Sequence, residues 1–183
     1  MSRRRSPPSL RRRSATVRAK FAILVLAEGK NTEPDYLRAF AVEHGNMLVR
    51  VKVLPAVGVP ATIVEEALKI ASLFHRRRRD SYEDADEIWV MFDCDNHPQV
   101  NESIERALSK GLNVAYSNPC FELWALLHFR DHDAPADRRQ IQRSLKKHMP
   151  KYEMQGAKRI DYELLKGRYD KAYERAARME KIG

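Results

Sequence analysis

The chain has 183 residues, with 34 lysines and arginines against 25 aspartates and glutamates and a formal net charge of +9. That length supports one α/β domain with a substantial core and excludes two full-sized domains. A charged fraction of 32% beside 43% aliphatic and aromatic residues is that of a folded globular chain, and no apolar run approaches the roughly 20 residues of a membrane-spanning helix.

The positive charge is concentrated at the start. Residues 1–20 hold eight basic side chains (Arg3, Arg4, Arg5, Arg11, Arg12, Arg13, Arg18 and Lys20) and no acid, which leaves 26 basic against 25 acidic residues in 21–183. Residues 1–20 therefore read as a basic, disordered tail ahead of a single domain over 21–183. Such a tail favours phosphate polyanions through counterion release; the alternative is a solvated leader with no role of its own. A secretory signal is disfavoured, because the apolar run Phe21–Ala27 stops at Glu28-Gly29-Lys30 with no small-residue cleavage site, and Pro7-Pro8 interrupts the helix of a transit peptide. Two cysteines, Cys94 and Cys120, cannot make a disulfide framework and point to a reducing, cytoplasmic location.

After the tail the periodicity alternates between strand and helix. Residues 21–27 form a continuous apolar run that predicts a strand buried on both faces. Thr32 followed by Asp35 resembles a capping box with Pro34 in the first turn, and predicts a helix over 33–43 with Tyr36, Leu37, Phe40 and Ala41 facing inward. A second strand is predicted over 47–54. A helix over 61–79 ends in Arg76-Arg77-Arg78-Arg79, where cations suit the negative end of the helix dipole or meet a nucleic-acid backbone. The third strand, 88–92, is wholly apolar and runs into Asp93-Cys94-Asp95; a helix over 99–110 and a fourth strand over 112–116 follow. Asn118 is expected to cap a buried helix over 119–129 with Pro119 at its first position, and two more helices are predicted over 137–148 and 161–180. The order implies an open, mostly parallel four-stranded sheet with helices on both faces, of the TOPRIM or Rossmann kind, followed by C-terminal helices.

In such a sheet the ligand end is the carboxyl end of the strands. This chain places Glu28 there after the first strand and Asp93 and Asp95 after the third. If those strands are neighbours, the acids converge, and like charges that close are costly unless a cation lies among them. A hard divalent cation fits oxygen ligands: Mg²⁺ is favoured and Mn²⁺ is compatible. It would polarise a phosphodiester and activate water, with Glu28 as general base or acid and Lys30 on a phosphate oxygen. The bland alternative is that these acids cap turns. Glu122, in the first turn of the most apolar helix, is either a fourth metal-facing acid or a dipole-stabilised carboxylate. His97 is a turn residue or a phosphate contact, and His128 a core histidine. Arg11, Arg12, Arg13 and Arg76–Arg79 are candidate nucleic-acid contacts.

The segments Glu-Gly-Lys-Asn-Thr-Glu-Pro-Asp-Tyr-Leu (28–37), Phe-Asp-Cys-Asp-Asn-His (92–97) and Ser-Asn-Pro-Cys-Phe-Glu-Leu-Trp-Ala-Leu-Leu-His-Phe (117–129) together resemble the RloB-like proteins. The resemblance covers roughly residues 21–180. It implies a TOPRIM-like fold, with Glu28 as general acid/base and Asp93 and Asp95 holding Mg²⁺. It also implies a role in bacterial restriction loci and abortive phage resistance, with an ATPase partner encoded nearby. Because no topoisomerase tyrosine domain or primase zinc module accompanies the body, a stand-alone Mg²⁺-dependent nuclease acting on DNA or RNA is the expected activity. The rival is a non-catalytic module that binds nucleic acid or a partner protein. A dehalogenase-type phosphatase would put its acidic pair after the first strand, a phospho-receiver would need a fifth strand, and no Gly-x-Gly-x-x-Gly supports a dinucleotide site.

Overall fold

The computed structural model describes residues 21–45, 49–55, 58–76, 85–94 and 99–180. Four strands, β1 (Phe21–Ala27), β2 (Val49–Pro55), β3 (Glu87–Asp93) and β4 (Asn113–Ser117), form one sheet in the order β2-β1-β3-β4. Every pairing is parallel, so the sheet is the open α/β type that the alternating periodicity predicts. β1 and β3 are direct neighbours in a register that sets Ala27 beside Met91. The pairing runs one residue further, because the Glu28 N–H donates to the Met91 carbonyl at 2.9 Å.

Helices cover both faces. On one face α2 (Pro60–Arg76) and α3 (Val100–Ser109) bring Ile63, Val64, Ala67 and Ala107 against Leu24, Leu26, Ile88, Val90 and Phe92. On the other, Tyr36 from α1 (Thr32–His44) meets Phe121 and Ala125, and Leu145 from α5 (Arg138–His148) packs into the same cluster, with Met91 of the sheet against it. Side chains alternate along a strand, so Trp89, Met91 and Asp93 share that second face while Ile88, Val90 and Phe92 fill the first. The site acid at the end of β3 is thereby aimed at α1 and the helix that follows β4.

Three local expectations are corrected. Thr32 does not cap α1: Asn31 holds the cap position without a side-chain bond, and the Thr32 hydroxyl instead donates to the Lys158 carbonyl at 2.7 Å. The expected helix over 119–129 contracts to α4 (Glu122–Leu127), with Phe121, not Asn118, preceding the helix. The expected helix over 161–180 divides into a 3₁₀ turn at Tyr162–Leu164 and α6 (Tyr169–Glu180), with Gly167 at φ 70° between them. A reciprocal capping box does form at α5, where Asp137 accepts from the Gln140 N–H and Gln140 from the Asp137 N–H.

Asp95, His97 and Arg77–Arg79, the side chain of Arg76, and the basic tail with Arg11, Arg12 and Arg13 lie outside the described residues. No helix of the described residues is long and apolar enough to cross a membrane.

Candidate active site

The carboxyl ends of β1 and β3 open onto a cavity of about 350 Å³ lined by Glu28, Lys30, Glu33, Asp93, Glu122 and Arg138, among others. Parallel pairing is what brings the acids together. Glu28 follows the last residue of β1 and Asp93 is the last residue of β3, and the Asp93 N–H donates to Glu28 Oε2 at 3.2 Å. The spatial requirement read from the sequence, that these two strand ends be adjacent, is met.

Asp93 is held through both of its oxygens. Its Oδ1 accepts from the Phe121 N–H at 2.9 Å and its Oδ2 from the Arg138 guanidinium at 3.2 Å. Burial pushes its carboxyl up to about 8, the nearby charges of Glu33 and Glu122 push the same way, and Arg138 and the Phe121 N–H work against them.

Glu122 has the opposite balance. It is 4% exposed. Its Oε1 accepts from the Tyr152 hydroxyl at 2.5 Å and from the Gln142 amide at 2.9 Å. Burial alone would raise its pKa; hydrogen bonds from Tyr152, the Cys120 thiol and Gln142 outweigh burial and hold it below the usual value. Glu122 is therefore an ionised carboxylate in a buried network, not merely an acid favoured by a helix dipole.

Glu33 emerges from the structure as a further acid in the group. It is 5% exposed, and its Oε2 has no hydrogen-bond partner. Burial raises its pKa first, and the charges of Glu122 and Glu28 add to that. The other unpartnered buried side-chain oxygen among the described residues, Glu43 Oε2, sits at the far end of α1. The Glu33 carboxylate lies directly against Gly29, where a Cβ would come 1.8 Å from Oε2. The tight Gly29 turn thus exists to admit this side chain. The sequence did carry a signal for Glu33, since it stands at i relative to Tyr36, Leu37 and Phe40, on the stripe that faces inward.

Three basic residues, Lys30, Arg138 and Lys158, line the cavity with the acids. Lys30 lines the cavity, as the sequence implies for a phosphate contact. Arg138, which sequence reasoning missed, comes from the first turn of α5, a position where a cation opposes the helix dipole and so needs an acid to meet. Asn31 and Thr32 hold the opposite wall by bonding to the Ala157 and Lys158 carbonyls, with Lys158 in a left-handed conformation at φ 45°. His128 is a core residue: it is 3% exposed, burial lowers its pKa, and its Nδ1 lies 2.9 Å from the Trp124 carbonyl.

Among the described residues no three acidic, histidine or cysteine side chains already stand in ligating arrangement around a point. The donor chemistry nevertheless suits a hard cation: the groups are carboxylate oxygens, and one of them, Glu33 Oε2, is buried with its bonding capacity unused.

The fold and the cavity define an open parallel α/β protein whose strand-end site is built from carboxylates. Its family follows from comparison with known sequences: a family model described as RloB-like protein matches residues 23–182, and the chain belongs to that family. No curated protein and no solved structure matches it.

Proposed function

We propose that the protein is a Mg²⁺-dependent, phosphodiester-cleaving nuclease, with Mn²⁺ as an alternative ion. The observation that carries this reading is the gathering of Glu28, Glu33, Asp93 and Glu122 on one cavity with a buried carboxylate oxygen left unpartnered. A divalent ion bound there supplies charge neutralisation and a polarised, more acidic water. Asp93 and Glu33 would hold it, joined by Asp95 as the family resemblance implies. The remaining roles belong to the chain. Glu28 is fixed by the Asp93 N–H at the mouth of β1 and is placed to take or return a proton. Lys30 and Arg138 meet phosphate oxygens, the latter as a planar, multidentate donor. Glu122 keeps the ionised, hydrogen-bonded geometry that Tyr152 and Gln142 impose. The biological setting, bacterial anti-phage defence with an ATPase partner, rests on the family resemblance alone.

One observation favours a second reading. Arg138 already bonds to Asp93 and offsets part of the acidity of the site, so the body can serve as a binding module without turnover. Cleavage assays with labelled DNA and RNA, with Mg²⁺, Mn²⁺ or EDTA, separate the two. The nuclease reading expects cation-dependent cleavage that falls at least about 100-fold in Glu28→Gln and Asp93→Asn, as losing a general base or a ligand does. Equal cleavage in those variants, or oligonucleotide binding with no cleavage in any cation, overturns it.

A further inference from the structure

The body of the protein is close to neutral, yet its charge is not evenly spread. Between Arg138 and Arg159 the chain carries eight basic residues (Arg138, Arg139, Arg143, Lys146, Lys147, Lys151, Lys158 and Arg159) and a single acid, Glu153. Helix α5 holds the first five of these with no acid at all, whereas α2, α3 and α6 mix both signs. Its inner face is used by Ile141, Gln142 and Leu145, which are buried. Arg139, Arg143, Lys146 and Lys147 fall on the exposed side, at spacings that keep them along one flank of the helix. None of the four has a salt-bridge partner among the described residues. The Asp137 carboxylate, which could have screened them, is occupied by the α5 cap.

Position gives this stripe its meaning. Arg138, at its head, reaches Asp93 within the carboxylate cavity, and Lys158, near the far end of the same segment, lines that cavity too. Eleven residues of helix extend about 16 Å at 1.5 Å per residue, so the stripe leads away from the site for the length of several nucleotides. A row of like charges with no salt-bridge partner among the described residues destabilises the protein that carries it, and a phosphate polymer laid along it would supply the neutralising charge.

We infer that the exposed face of α5 is the docking surface for the polynucleotide backbone, leading a strand to the carboxylate cavity. The choice of polymer rests on the nuclease reading; the surface itself rests on the charge distribution. Recognition here is electrostatic and indifferent to base sequence, because long flexible cations with no aromatic side chain among them read phosphates, not base edges. The surface is distinct from the tail and from Arg76–Arg79, the contacts suggested by the sequence.

The test is fluorescence anisotropy with the full chain and labelled single-stranded DNA, single-stranded RNA and duplex DNA, in EDTA to prevent turnover, over 50–200 mM salt. Arg139→Gln, Arg143→Gln, Lys146→Gln and Lys147→Gln are combined in one variant and compared with Arg11→Gln, Arg12→Gln and Arg13→Gln in another. Loss of four phosphate contacts should flatten the slope of log K against log salt by about 3 and weaken low-salt binding at least about tenfold. Melting temperature and its response to Mn²⁺ are measured on the same α5 variant: the temperature should be no lower than the wild type's, because like charges are removed, and the Mn²⁺ response should match, since none of the four residues lines the cavity. A slope unchanged in the α5 variant and lost in the tail variant overturns the inference, as does tight capture of phosphatidylserine vesicles with no oligonucleotide binding. A flattened slope in a protein that never cleaves leaves the surface standing and removes only the nuclease reading.

Discussion

Glu33→Gln is the substitution that most sharply separates an ion site from a structural cluster. In the wild type this carboxyl is 5% exposed, has an oxygen without a partner, and faces the charges of Glu122 and Glu28. An unsatisfied buried polar group costs about 1–3 kcal/mol. Glutamine keeps the shape against Gly29 and removes the charge. Without divalent cation, Glu33→Gln should therefore be more stable by about 1–2 kcal/mol, which for a chain of this size is a rise of roughly 3–6 °C in Tm. With cation the order reverses. A ligand at 100 times its Kd stabilises by about 2.7 kcal/mol, or roughly 5–10 °C, and the wild type should gain this from millimolar Mg²⁺ or Mn²⁺ at pH 8. The variant, lacking one ligand charge, should recover less than half of it. The measurement is a thermal melt by circular dichroism of both proteins in EDTA and across a cation titration. If the variant is the less stable protein in EDTA, or if both respond equally to cation, the ion-site reasoning is refuted.

Gly29→Ala should abolish the same cation response with little loss of stability in EDTA, because a Cβ 1.8 Å from Glu33 Oε2 moves only the far end of a flexible side chain whose displaced oxygen has no hydrogen bond to lose; urea denaturation with and without Mn²⁺ reads both effects. Tyr152→Phe removes a 2.5 Å bond to the ionised Glu122 and leaves the acid buried, so urea denaturation at pH 7 should show a loss of about 1.5–3 kcal/mol, and a loss below about 0.5 kcal/mol would contradict the assigned network. The raised pKa of Asp93 has a definite sign. The native carboxyl keeps a proton that the unfolded chain releases, so its contribution to stability is full below about pH 4 and lost as pH rises through about 8. Over that window wild-type stability should fall relative to Asp93→Asn by up to about 1.4 kcal/mol per pH unit, checked by paired urea titrations at pH 5 and 8.5; parallel curves would show that Asp93 is not protonated on folding.

Much of the architecture was legible because it depends on period and run length. The short apolar runs at Phe21–Ala27 and Ile88–Phe92 cannot be stable helices, and the amphipathic segments between them fit crossover helices of a parallel sheet. In that topology Glu28 and Asp93 meet at the strand ends if the first and third strands are neighbours, and the sheet order makes them so. What the sequence hid were features set by tertiary contacts. Thr32 has the chemistry of a cap, yet its hydroxyl is claimed by a carbonyl 126 residues away at Lys158. Asn118-Pro119 has the look of a helix start, but the helix begins only at Glu122. Arg138 and Tyr152 reach the site from segments distant along the chain, and no spacing rule ties them to Asp93 or Glu122. The basic face of α5 was visible as composition; only its attachment to the cavity through Arg138 distinguishes it from an ordinary solvated helix.

The decisive feature of the site is an inequality among its acids. A buried polar cluster kept for structure is expected to be fully satisfied, since each unmet group in a low-dielectric interior costs more than the network returns. Glu122 meets that standard, with donors from Tyr152, Gln142 and Cys120. Asp93 nearly does, with a backbone N–H on one oxygen and a guanidinium on the other. Glu33 does not, although the fold excludes the one side-chain atom at position 29 that would push it aside into solvent. The charges of Glu122 and Glu28 also oppose its ionisation. Arg138 bonds to Asp93 and its charge also favours the ionised form of Glu33, as does a backbone N–H, yet burial together with the charges of Glu122 and Glu28 still raises the Glu33 pKa. Under the proposed function a cation from outside the chain would relieve that balance, so the cation response of Glu33→Gln, and not its folding alone, tests the reading.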